Sequence, residues 1–241
     1  MIDVHNLDRI DRSPAGLEAW WLFCLTTGGA SAERQAARFA TLLSSLPNGA
    51  TPFQRLRQAI RNGTLRQLLE ASRLGKYDRL HRSYCESVEV LSARLAEVAV
   101  EDLESISGSG MKTARLFALY AREEAQHAVL DGHVLRRLAA AYPSASVPHT
   151  TPQRRAEYLR LEALALDLAQ RQGLSPREFD MQVWRGAALG HLHEPRVVQL
   201  LADLSAWCVE AGETRRTDLL GERVLERRTL IDQLLSGYRP E

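Results

Sequence analysis

The chain has 241 residues, 45% apolar and 25% charged, with a net charge of +1. That length fits one large domain or two closely packed lobes, and the near-neutral balance excludes a polycation that grips nucleic acid by bulk charge. The longest apolar stretch, Ala19 to Leu25, is too short for a bilayer, and the start MIDVHNLDRIDRS lacks the apolar segment of a signal peptide.

Helical periodicity runs from residue 16 onward, and no stretch alternates as a strand does. It predicts an all-α protein, with helices at about 16–27, 32–45, 52–61, 64–73, 77–95, 99–106, 111–122, 132–141, 152–172, 175–189, 195–212 and 215–235. Thr51 and Thr64 stand where N-caps belong. Ser175, Pro176 and Glu178 read as N-cap, N1 and N3 of a capping box. Pro143 to Pro152 is the longest loop. Arg55, Arg57 and Arg61, then Lys76 and Arg79, then Arg136 and Arg137 form basic groups. Each is an ordinary solvated face unless the groups converge on one groove. Cys24, Cys85 and Cys208 are too few and too scattered for a disulfide framework or a spaced metal site, which points to a reducing cytosol and to no metal or cofactor.

Residues 105–133, SISGSGMKTARLFALYAREEAQHAVLDGH, carry the most information. Gly108 and Gly110 permit a sharp turn between two helices. The amides that open the second helix then form an anion site suited to a phosphate, with Ser107, Gly108, Ser109, Gly110 and Thr113 around it. Ala114, Phe117, Ala118 and Ala121 give that helix a buried face. Lys112 stands out by count: Lys and Arg total 31, yet only Lys76 and Lys112 are lysines. Asp131 precedes the apolar run Val134, Leu135, Leu138 and Ala139, where an N-cap belongs. A cap and a catalytic carboxylate are compatible roles, because capping holds one rotamer. His133 orients substrate or is simply structural.

The order G-S-G-M-K-T-A followed by Asp131 resembles the helix-hairpin-helix DNA glycosylase superfamily. There a lysine opens the second hairpin helix and an aspartate follows at this distance. The resemblance extends over roughly residues 16–190 and is specific only at the hairpin (about 99–122) and the aspartate. It implies one glycosylase-like domain over 1–241, built of two helical lobes with the hairpin at the cleft between them. Residues 191–241 would be a helical extension. This chain lacks the four cysteines of the iron–sulfur cluster that many members carry. It also departs from the family at Gly132, where threonine is usual, and at Ser107, where proline is common.

The resemblance further implies double-stranded DNA as partner and a nucleotide flipped into a pocket. Asp131 would stabilise positive charge on the sugar. Lys112, once neutral, would attack C1′ and allow strand cleavage; in a monofunctional enzyme it would instead grip phosphate. Burial or a nearby arginine would have to lower its pKa. Candidate pocket residues are Trp20, Thr26 and Thr27 on one side and Asp180 and Trp184 on the other. Two other readings stay open. One is the phage transferase branch, which couples an amino acid such as glycine to phosphorylated hydroxymethyluracil in DNA. The other is a non-catalytic DNA-binding module.

Overall fold

The computed structural model describes residues 2–4, 6–27, 31–91 and 95–192, with side chains through Gly186. After a 3-10 turn at Leu7–Arg9 come α1 (Pro14–Thr26), α2 (Ala32–Ser45), α3 (Pro52–Arg61), α4 (Leu65–Ala71) and α5 (Tyr77–Val90). Then follow α6 (Val100–Ser105), α7 (Met111–Ala121), α8 (Gly132–Ala141), α9 (Arg155–Arg171) and α10 (Pro176–Leu192). No strand occurs among the described residues. The predicted helices at 195–212 and 215–235, and all of the extension beyond Leu192, lie outside them.

α1 is apolar all round, so it can only be an interior helix. Its residues Trp20 to Thr26 are all buried, and it packs on α2, α3, α5 and α7. Trp21 meets Phe117 edge to face at 5.5 Å, and Trp20 meets Tyr120 at 6.0 Å. The polar ends of these rings are bonded inside the core: Trp20 Nε1 to the Phe117 carbonyl, Trp21 Nε1 to Ser87 Oγ, Tyr84 hydroxyl to the Leu22 carbonyl. α8 packs on α9, burying Val134, Leu135 and Leu138 on one helix and Tyr158, Leu161 and Ala165 on the other. Residues Met1–Met181 form one compact unit. The rest of the chain belongs to a second unit, of which only the end of α10 is described.

Arginine has a structural task here. Arg79 donates to the Leu25 carbonyl at the end of α1, and Arg55 to the Leu43, Leu46 and Pro47 carbonyls at the end of α2. Arg57 closes α5 through Val88, and Arg177 closes α7 through Leu119 and Arg122. Each guanidinium satisfies carbonyls that a helix end leaves open. The groups around Arg55 and Arg79 are therefore structural in part, not a free basic face. α5 ends at Val90, short of the expected 95, where Leu91 turns to an extended backbone.

The expected caps divide. Thr51 accepts from the Gln54 amide, and Ser175 with Glu178 forms the reciprocal box. Thr64 caps nothing, because its backbone is helical and its hydroxyl turns back to the Ala59 carbonyl. α9 starts at Arg155 rather than 152, because Thr151 is drawn aside to the Leu130 carbonyl.

The hairpin joins α6 to α7 through Ile106–Gly110. Gly108 has φ +77°, and a Cβ there would lie 2.5 Å from Ser83 Oγ and 2.8 Å from Arg79 Cγ. Gly110 is extended, at φ −171°, and a Cβ there meets nothing within 4 Å. Only the first glycine is required by the turn. Ser107 replaces the common proline for a reason visible here: its N–H donates to Glu86 Oε2 at 2.9 Å, docking the turn on α5. Proline has no such donor. We expect Gly108→Ala to cost about 1–3 kcal/mol from forced backbone conformation alone, and Gly110→Ala to cost under about 1 kcal/mol. Urea unfolding of the two variants checks this, and equal losses would contradict it.

Candidate functional site

α7 begins without a capping side chain. Its N-cap is Gly110, so the amides of Met111, Lys112 and Thr113 receive no side-chain acceptor. The turn before it is closed by the Ser109 amide on the Ile106 carbonyl. Ser109 Oγ is buried and has no hydrogen-bond partner among the described residues. Open amides, a helix dipole and an orphan hydroxyl together make a site that an anion completes. Ser107, Gly108, Ser109, Gly110 and Thr113 all belong to this turn or to the first residues of the helix.

Lys112 is half-buried at the second position of α7. It lines an open cavity of about 380 Å³ with Glu104, Gly110, Met111, Thr151, Pro152, Gln153 and Arg155. The long loop before α9 therefore supplies one wall of the site, although the sequence marked it only as a loop. Arg155, also on that wall, is paired with Glu101 and Glu104.

Asp131 is the N-cap of α8. Its Oδ1 accepts from the His133 and Val134 amides, both at 2.9 Å. Gly132 does not weaken this cap, since both bonds form across it. His133 Nδ1 lies 2.7 Å from Arg136 Nη2, a local structural contact.

Asp180 on α10 joins the two. Its carboxyl is pushed up to about 7, first by burial and then by the charge of Asp131, while Tyr120 and Lys112 pull the other way. The residue is partly accessible, but its carboxyl lies deep. Tyr120 hydroxyl donates to Asp180 Oδ2 at 2.7 Å. Burial and this negative neighbour drive the phenol well above its ordinary range. The charges of Lys112, on α7, and of Asp131, at the start of α8, thus both act on the buried Asp180 carboxyl of α10.

Trp20, Thr26 and Thr27 do not join them. Trp20 is 1% exposed and tied to Phe117, so it is core. Thr26 and Thr27 turn their hydroxyls back to the Phe23 and Cys24 carbonyls, as threonines at a helix end often do. Trp184 stands one turn beyond Asp180 and is half-buried. Tyr120 was missed by sequence reasoning because it falls among apolar residues of a buried helix. Its one signal was a polar tip that needs a partner wherever it is buried.

The 8-oxoguanine DNA glycosylase of Thermotoga maritima superposes with a TM-score of 0.55 and 22% identity, over 71% of this chain and 79% of that one. The 8-oxoguanine glycosylase/lyase of Methanocaldococcus jannaschii, solved with a 15mer DNA containing 8-oxoguanine, gives 0.56 and 19%, over 72% of this chain and 81% of that one. No protein-family model and no curated protein matches the chain. The likeness is one of architecture, and it establishes that this chain has the all-α fold of the helix-hairpin-helix DNA glycosylases.

Proposed function

We propose that this protein is a base-flipping DNA glycosylase with a lyase step, acting on a modified base, with oxidised purines first to test. The observation that carries this reading is the placement of Lys112 on a cavity at the uncapped start of α7, with Asp131, nineteen residues on, fixed as the N-cap of α8. A glycosylase needs an anion beside the sugar and, for strand cleavage, an amine beside C1′. The two solved proteins of this fold support it, since both act on 8-oxoguanine.

The hairpin amides and Ser109 hold backbone phosphates next to the flipped nucleotide. The neutral Lys112 amine attacks C1′, and the electron pair of the C1′–N bond leaves with the base, which takes up a proton. Asp131 stabilises the positive charge that builds on the sugar. Loss of the second amine proton and ring opening give a C1′–lysine iminium. Removal of a C2′ proton then expels the 3′ phosphate. We assign Asp180 the role of taking the proton that leaves Lys112, because its carboxyl changes charge near neutral pH. No observation among the described residues favours the transferase or the simple binding module.

The direct experiment is incubation with an 8-oxoguanine duplex, followed by measurement of free base and strand breaks. Asp131→Asn should lower single-turnover base release about 10²–10³-fold with little change in DNA affinity. Asparagine caps a helix as well as aspartate does, so a fully active variant would reduce Asp131 to a cap.

Asp180 makes a separate prediction about pH. Its folded pKa, about 7, lies above the ordinary aspartate value of 3.8. Between these values the unfolded chain releases a proton that the folded protein keeps. Its stabilising contribution is therefore complete below about pH 4 and lost as pH rises through about 7. Asp180→Asn cannot ionise and still accepts the Tyr120 hydrogen bond. Its stability relative to the parent should climb between about pH 4 and 7, by as much as roughly 4 kcal/mol. Denaturant melts across this range test it, and a difference that stays flat with pH contradicts it.

A further inference from the structure

The segment that delivers Asp131 belongs to no helix, yet Ala128, Val129 and Leu130 are all buried. Buried backbone groups outside regular structure must find partners elsewhere. Here side chains of α9 and its lead-in provide them. Glu162 Oε1 accepts the Ala128 N–H at 3.1 Å. The Tyr158 hydroxyl accepts the Leu130 N–H at 3.2 Å and donates to the Ala128 carbonyl at 3.1 Å. Thr151 donates to the Leu130 carbonyl at 2.7 Å. Tyr158 and Glu162 are four residues apart and share one face of α9.

The same pair reaches the hairpin. Arg115 Nε donates to Glu162 Oε1 at 2.8 Å, and its guanidinium lies 4.7 Å from the centre of the Tyr158 ring. Arg115 also bonds Glu104 on α6 and the Met111 carbonyl on α7. It follows Lys112 by one helical turn. Two side chains on α9 thus support the amine on one side and the carboxylate on the other.

We propose that Tyr158 and Glu162, braced by Arg115, are positioning residues that fix Asp131 relative to Lys112. Neither touches the cavity that Lys112 lines. Their effect passes through the backbone of residues 128–131, and it rests on the glycosylase reading only for its kinetic consequence.

Tyr158→Phe is the cleanest probe. It keeps the ring under Arg115 and removes the one hydroxyl that bridges Ala128 and Leu130. The first readout needs no substrate. NMR amide exchange at Leu130, His133 and Val134 should quicken about tenfold or more relative to α7 amides, as expected when a buried hydrogen bond is lost. The second readout is single-turnover base release from an 8-oxoguanine duplex, which should fall about 10- to 100-fold through misplacement alone while DNA affinity is unchanged. Adding Tyr158→Phe to Asp131→Asn should then cost nothing further, because both act through one carboxylate. Unchanged exchange at those amides overturns the proposal, whatever the activity. So does a rate loss that adds in full to that of Asp131→Asn. A parent protein that releases no base, with exchange altered as expected, would instead count against the glycosylase reading alone.

Discussion

The guanidinium of Arg115 is 3% exposed and sits where three parts of the molecule meet. It pairs with Glu104 from the first hairpin helix and with Glu162 from α9, and it covers the Tyr158 ring. An ion pair taken out of water is costly unless further hydrogen bonds support it, and here the Met111 carbonyl accepts from Arg115 and the Ala128 amide donates to Glu162. Burial alone would favour the neutral acid at Glu162, but His127, the Ala128 amide and Arg115 together hold it below the ordinary glutamate range. Removing one partner would leave a buried charge uncompensated, at a cost of about 3–5 kcal/mol. The hairpin and the Asp131 segment thus share one support, and their separation is set by it.

This arrangement reflects how the chain uses cations generally. Arginines close helix ends at α1, α2, α5 and α7, where a planar fork can satisfy several carbonyls at once. That leaves lysine for another purpose. An amine can lose its proton and attack carbon; a guanidinium cannot. The lysine kept at the second position of α7 lines a cavity and lies within electrostatic reach of the Asp180 carboxyl.

Local signals carried far in this chain. Helix positions followed from apolar spacing, because nearly every helix buries one stripe. The Asp131 and Ser175 caps were readable because a cap is a contact between near neighbours. What failed was long range. Trp20 looked like a pocket wall, yet only the packing of α1 against α7 shows that it is core. The bond from Tyr120 to Asp180 spans sixty residues, and that from Arg115 to Glu162 spans forty-seven. No spacing rule announces such pairs. A trace existed in the apolar stripes: Arg115 stands beside Ala114 and Phe117, and Glu162 beside Leu161 and Ala165. A charge on a buried face implies an opposite charge elsewhere, but not where.

The chemistry proposed here depends on one amine forming a bond to the sugar. Borohydride reduction of the protein on an 8-oxoguanine duplex, followed by trypsin and mass spectrometry, locates that bond. An alkylated Lys112 resists cleavage, so the expected adduct is the uncut peptide Leu95–Arg115 carrying the sugar remnant. An adduct on Lys76 or on the chain's terminal amine, or strand cleavage with no adduct at all, contradicts it.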